Sequence, residues 1–184
     1  MTQRRDLRRH YIKEMFGGRL EQLKLRGIWL NGFTGEGEYK RWHRNGQPER
    51  HCYYKNGKID GEYKRWYDNG QLLERRHYKN GKLDGECRDR YLNGKPHKHC
   101  YFKNGKRNGE YEMWYDNGQP SVHCYYKNDK LDGEYKEWYD NGRRRVHFYY
   151  KNGECDGEYK RWLVNGQLYT HCFYKDGKEV KKIK

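Results

Sequence analysis

The dipeptide Gly-Glu recurs at Gly37-Glu38, Gly61-Glu62, Gly85-Glu86, Gly109-Glu110, Gly133-Glu134 and Gly157-Glu158, a spacing of 24 residues with no insertion or deletion. A fixed period of this length means one small structural unit stacked on copies of itself. A conventional layered core is not expected, because only 33% of the chain is hydrophobic and its net charge is +15. Such a balance alone points toward disorder. The aromatic content reverses that reading, since 20 Tyr and 6 Trp supply broad, semi-polar surface able to pack in a thin, half-solvated sheet.

Turn signals divide each unit. They fall alternately after 11 and 13 residues, at Asn45-Gly46, Asn56-Gly57, Asn69-Gly70, Asn80-Gly81, Asn93-Gly94 and Asn104-Gly105. The series continues at Asn117-Gly118, Asn141-Gly142, Asn152-Gly153 and Asn165-Gly166, with Asn128-Asp129 and Asp176-Gly177 as variants. Asn-Gly favours a two-residue type I′ turn, because both central residues need positive φ. Each repeat is therefore two strands. The expected fold is all-β: an open, single-layer antiparallel meander of six two-stranded repeats, about 58 Å long for twelve strands at 4.8 Å, and twisted. Two-residue turns place Tyr67 opposite Leu72, Tyr63 opposite Arg76 and Tyr78 opposite Leu83; a bulge near the strand glycines would break this register locally and leave face membership intact.

Side-chain alternation then sorts the faces. One face is expected to collect Tyr39, Tyr63, Tyr111, Tyr135 and Tyr159 from first strands, Tyr54, Tyr78, Tyr126 and Tyr150 from second strands, and Tyr67, Tyr115 and Tyr139 beside the turns. Cys52, Ile59, Leu72 and Leu83 join them. The second face carries Trp42, Trp66, Trp114, Trp138 and Trp162, with Tyr53, Tyr101, Tyr125 and Phe173, set among Glu62, Lys64 and their equivalents. One long edge gathers the turn lysines Lys55, Lys58, Lys79, Lys82, Lys103, Lys106, Lys127 and Lys130, and also Lys175 and Lys178. The opposite edge carries Asp68, Asp116 and Asp140.

Residues 1–36 read as an N-terminal cap. Leu7, Tyr11 and Met15 with Ile12 and Phe16 make one apolar stripe on a basic helix over Met1 to Phe16, ended by Gly17-Gly18, and Gly27 to Gly32 reads as a degraded half-repeat. The helix covers the first strand edge; Arg4, Arg5, Arg8 and Arg9 are its candidate contacts for a partner or polyanion. The six repeats span residues 37–180, and 181–184 form a basic tail. The N-terminus lacks the apolar segment of a signal peptide and no run is long enough to cross a bilayer, so the expected location is intracellular and soluble, in the host cytoplasm or the virion if the source is viral.

The unit GEYKRWYDNGQ followed by HYKNGKLDG, and its copies over Gly37 to Gly177, resembles the divergent version of the MORN repeat. Cys87 and Arg90 depart from that pattern in the third copy, where Tyr and Trp are usual, and Leu163-Val164 depart in the last. The resemblance implies successive hairpins in one open sheet and non-enzymatic work as scaffold, oligomerisation module or candidate phospholipid binder. Relatives of the divergent version occur in bacteria, where they are labelled antitoxins, and in large DNA viruses of amoebae.

His51-Cys52, His99-Cys100, His123-Cys124 and His171-Cys172 suggest zinc, but strand neighbours point to opposite faces. Equivalent cysteines lie two strands apart, about 9.6 Å, too far for a disulfide or a shared tetrahedral metal. Structural cysteines and exposed histidines are expected. No Gly-x-Ser-x-Gly elbow or phosphate loop is present, and Ser121 is the only serine. Glu38, Glu62 and Glu134 read as a solvated ion-pair ladder, each with Lys or Arg in reach. No catalytic, cofactor or metal residues, and no small-molecule substrate, are expected. The favoured role is a scaffold docking a protein partner or a second copy, including a structural component of a large DNA virus particle. Two alternatives remain: binding of nucleic acid or anionic lipid along the lysine edge, and an antitoxin-like partnership with a bacterial toxin.

Overall fold

The computed structural model describes residues 35–184, so the expected N-terminal helix and half-repeat lie outside the described residues. Fourteen strands form a single antiparallel sheet, ordered along the chain. They are β1 (Gly37–Trp42), β2 (Pro48–Lys55), β3 (Lys58–Trp66), β4 (Leu72–Lys79), β5 (Lys82–Leu83), β6 (Gly85–Arg90) and β7 (Pro96–Lys103). The second half comprises β8 (Lys106–Trp114), β9 (Pro120–Lys127), β10 (Lys130–Trp138), β11 (Arg144–Lys151), β12 (Glu154–Trp162), β13 (Leu168–Lys175) and β14 (Lys178–Lys182). The expected meander is present. β5 and β6 are one rung interrupted at Asp84, and β14 adds a rung after the sixth hairpin, its end held where the Ile183 amide donates to the His171 carbonyl (2.8 Å).

The turns are of two kinds, not one. At the lysine-flanked turns Asn56, Asn80, Asn104, Asn128, Asn152 and Asp176 all have positive φ, as does the residue after each. These are the two-residue turns expected, and Tyr78 opposes Leu83. At the other edge only the glycine has positive φ. There Gly70 N–H donates to Tyr67 C=O (3.0 Å) and Tyr67 N–H to Gln71 C=O (2.8 Å), closing a three-residue loop. Asn69 is held out of the left-handed region by its own side chain, whose Oδ1 accepts the Gln71 amide at 2.9 Å. Trp66 therefore opposes Leu72, and Leu72 belongs to the Trp face, a correction to its placement with the tyrosines. A one-residue bulge restores the register, so Tyr63 opposes Arg76 as expected.

A bulge does interrupt the register at the strand glycines: Cys52 pairs with Tyr63 but Tyr54 pairs with Ile59, and Gly61 between them has φ 100°. The kink lets successive hairpin tips stack. Gly81 N–H donates to Ile59 C=O at 2.8 Å, and the Asp60 carboxylate accepts the Asn80 amide at 2.8 Å. The same contacts recur one repeat later at Gly105 with Leu83 and at Asn104 with Asp84.

A single sheet has no interior between layers, so its core is a row across one face. That row reads Tyr39, Cys52, Tyr63 and Arg76, then Cys87, Cys100, Tyr111, Cys124, Tyr135, Phe148, Tyr159 and Cys172, in register from strand to strand except at the step from Arg76 to Cys87. Cys52, Cys87, Cys100, Cys124 and Cys172 are at most 1% exposed; Cys52 and Cys124 lie between rings of the two adjacent strands, whereas Cys87 has Cys100 as its register partner. The rings meet edge to face, as in Tyr63 with Tyr78 (5.8 Å between centroids) and Tyr111 with Tyr126 (5.5 Å).

Cys87 breaks the alternation. It opposes Cys100 on the adjacent strand, so the two-strand spacing that separates repeat-equivalent cysteines does not separate this pair; both are free thiols. The Cys100 thiol favours the thiolate of Cys87 and lowers its pKa, while the same partnership and burial raise that of Cys100.

Candidate interaction surfaces

The tyrosine face is largely occupied with itself. Tyr63 is buried, and the other candidates of this set are half-buried, their rings packed on one another. Those beside the turns do structural work: Tyr67, Tyr115 and Tyr139 each donate a hydroxyl to a backbone carbonyl one repeat on, at Arg90, Trp138 and Trp162 (2.7 to 2.9 Å). The turn asparagines make a parallel ladder, with Asn117 Nδ2 donating to Asp140 C=O at 2.7 Å. Beside the central row lies a second row whose residues differ from repeat to repeat, including Arg50, Arg65, Glu74, Asp89, Lys98, Met113 and Val122. Within it Asp89 is buried and pairs with both Arg76 and Lys98. Burial pushes the Asp89 carboxyl upward, but hydrogen bonds from Arg76 and Lys98 outweigh it and hold it below the usual range.

The opposite face is wetter and more regular. Tyr53, Tyr101, Tyr125 and Tyr149 are 37% to 42% exposed, each resting beside a histidine ring about 5 Å away, as in His99 with Tyr101 at 5.0 Å. The five tryptophans Trp42, Trp66, Trp114, Trp138 and Trp162 are half-buried at the strand ends. Between them runs an unbroken row of register partners: Lys40, His51, Lys64, Arg75, Arg88, His99, Glu112, His123, Lys136, His147, Lys160 and His171. Every member but Glu112 is basic. The neighbouring glutamates bridge along it, Glu62 to Lys64 and Arg75 (both 2.6 Å) and Glu134 to Lys136 (2.6 Å) and His147 (2.8 Å). In Glu62 and Glu134 burial raises the pKa, and these cations more than reverse it. The His-Cys pairs are thus divided as expected, thiol on one face and imidazole on the other.

Along the lysine edge Lys55, Lys58, Lys79, Lys82, Lys103, Lys106, Lys127 and Lys130 are all exposed, and none lies in an ion pair among the described residues; Lys175 pairs with Asp156 at 2.9 Å. The edge is not purely basic. Asp60, Asp84, Asp132 and Asp156 stand among the lysines, accepting the amides of the next turn.

The stacked hairpins, the glycine bulges and the period define a known repeat, and a family model described as MORN repeat variant matches five consecutive segments, 35–56, 59–80, 83–104, 107–128 and 131–152. The chain belongs to the MORN repeat variant family. Comparison with curated proteins returned no match. MORN repeats are generally non-enzymatic modules of interaction with proteins or membranes. Among the described residues no helix is long and apolar enough to cross a membrane. Glu112 is not among the residues expected to matter, yet the sequence carries its signal: it is the single acid at a position that is Lys or Arg in the other five copies.

Proposed function

We propose that this MORN-repeat chain is a non-catalytic scaffold that docks a protein partner along its Trp and Tyr face. The observation that carries the reading is a sheet one layer thick whose exposed tyrosines stand in line beside an ordered row of charges, Tyr101, Tyr125 and Tyr149 at one-repeat intervals and Tyr53 two repeats before Tyr101, with His77 at the position between. Exposed aromatic surface in series favours contact, because large rigid rings bury area with little loss of side-chain entropy. The tyrosine-and-cysteine face, already packed on itself, serves as the ribbon's own core. By resemblance such a scaffold would serve as a structural component of a large DNA virus particle or, alternatively, as the antitoxin-like partner of a bacterial toxin. Cross-linking mass spectrometry in the native setting tests this: links from Lys64, Lys136 and Lys160 to one protein neighbour or to a second copy are expected, and they should disappear on replacing Tyr101, Tyr125 and Tyr149 by Ser. A chain with no cross-linked neighbour, or a variant that keeps its links, would overturn it.

A second reading, a polyanion along the lysine edge, is favoured by one contrast. Lysines on the sheet face pair with Glu, whereas the turn lysines from Lys55 to Lys130 lie in no ion pair among the described residues, Lys175 with Asp156 being the exception on this edge. Changing Lys79, Lys82, Lys103 and Lys106 to Gln should weaken binding to DNA or to anionic vesicles and flatten its dependence on salt. Unchanged affinity removes the reading.

A further inference from the structure

We infer that Glu110, Glu112 and His123 form a binding site for a divalent transition-metal ion, with His99 fixing the orientation of Glu112. The starting point is the basic row on the wet face. In the other five repeats the residue two after the glutamate is Lys or Arg, and it supplies a cation beside that glutamate; in the fourth repeat it is Glu112. Two carboxylates then share one strand face with no Lys or Arg paired to either, and their only ion-pair partners among the described residues are imidazoles. The substitution removes one positive charge and adds one negative charge at a single point of an otherwise basic row.

The donor set has the composition and spacing of a metal site. One ligand atom from each of Glu110, Glu112 and His123 can be chosen so that all lie within 4.8 Å of one another. His123 Nε2 is 2.8 Å from Glu110 Oε1, and Glu112 is the register partner of His123 on the adjacent strand. Tetrahedral zinc with bonds near 2.1 Å sets its ligands about 3.4 Å apart, so the Glu110–His123 contact opens slightly and Glu112 closes in. These are half-buried side chains on a fixed strand pair, and rotation about their side-chain bonds covers such distances. On the other side His99 reaches Glu112 Oε2 through Nδ1 at 3.2 Å and Glu86 Oε1 through Nε2 at 2.9 Å, a hydrogen-bonded support of the kind that orients ligating carboxylates. An imidazole with two carboxylates suits zinc and its first-row neighbours better than magnesium or calcium, which take oxygen ligands. Three protein ligands leave a position open for water or for a partner's side chain. The bound ion supplies the cation that lysine supplies elsewhere and ties β8 to β9.

The repeat provides its own control. Glu112→Lys installs the residue that neighbouring repeats carry at this position, so the hairpin it creates is one the fold already contains. Titration with Zn2+ by calorimetry should show one more equivalent bound by the wild-type chain than by Glu112→Lys. His123→Gln should lose at least tenfold in affinity for that equivalent, and His99→Gln between about tenfold and a hundredfold. Co2+ in place of Zn2+ should give visible ligand-field bands without near-ultraviolet thiolate charge transfer. Equal stoichiometry and affinity in the wild type and Glu112→Lys would overturn the site. A thiolate band lost on replacing Cys100 would also overturn it, by assigning the metal to the cysteines.

Discussion

Single residues in this chain take their chemistry from which face they occupy. Cys124 is sealed beneath the rings of its neighbours, and burial pushes its thiol up to about 12; Cys155, near the lysine edge, is only half-buried. In the native protein an aromatic disulfide reagent should therefore react first with one thiol, Cys155, and reach the other five only after unfolding. Two or more fast thiols would show that the rings do not cover the row. Asp89 offers a pH test. Its folded pKa is depressed, so the stability it contributes is present above the unfolded value near 3.9 and is lost as pH falls through the folded value. Asp89→Asn leaves Arg76 and Lys98 without their shared carboxylate, and should cost about 3 kcal/mol at neutral pH. The acid limb of the stability curve should become shallower, since Glu62 and Glu134 still contribute to it. Urea melts between pH 2 and 7 measure both effects, and an unchanged limb would count against the assigned network.

At the level of the hairpin, the sequence disclosed most of the architecture because a period without insertions carries register from copy to copy. The antiparallel order, the two-strand repeat and the lysine-flanked turns followed from residue identities alone, whereas the twelve strands expected became fourteen, because Asp84 splits one rung and β14 adds another. What escaped was local. Asn-Gly appears at both edges, yet only one edge forms the type I′ turn, because a side chain that bonds its own backbone two residues on selects a different loop. The dipeptide does not reveal that choice. Leu72 was misplaced for this reason, and with the turn restored to three residues its assignment to the Trp face follows. The strand glycines belong to this scale as well. Gly157 has φ 128°, and an added Cβ would meet Tyr149 Cβ at 3.2 Å. Gly157→Ala should destabilise the protein by more than about 1 kcal/mol through backbone strain alone. A melting temperature within experimental error of the wild type would mean that the bulge relaxes freely.

Over the whole molecule, strands pair only with their sequence neighbours and the turns add contacts no further than one repeat on, so stability is close to a sum of hairpin terms and nearest-neighbour repeat terms. Cooperativity then depends on the weakest seam. Elsewhere a second strand meets the next repeat through a rung of the central row, as Cys124 meets Tyr135 and Phe148 meets Tyr159. Between β4 and β6 the corresponding rung is missing: pairing stops at Arg75 with Arg88 and resumes at Tyr78 with Leu83, across the interruption at Asp84. The Arg76–Asp89 ion pair bridges this gap, aided by Glu74 bonding the same guanidinium at 2.8 Å. Burial lowers the pKa of Arg76, but its two carboxylates raise it further and keep it charged. The third repeat has thus exchanged aromatic packing for charge pairing, and its integrity rests on both partners being present. In the Asp89→Asn variant, hydrogen exchange read by mass spectrometry should show peptides spanning 83–90 losing protection well before those spanning 130–138, splitting the ribbon into two blocks. In the wild type the two regions should exchange much more nearly together. Uniform loss across the variant would mean that backbone pairing alone holds the seam and that the ion network contributes little to the continuity of the sheet.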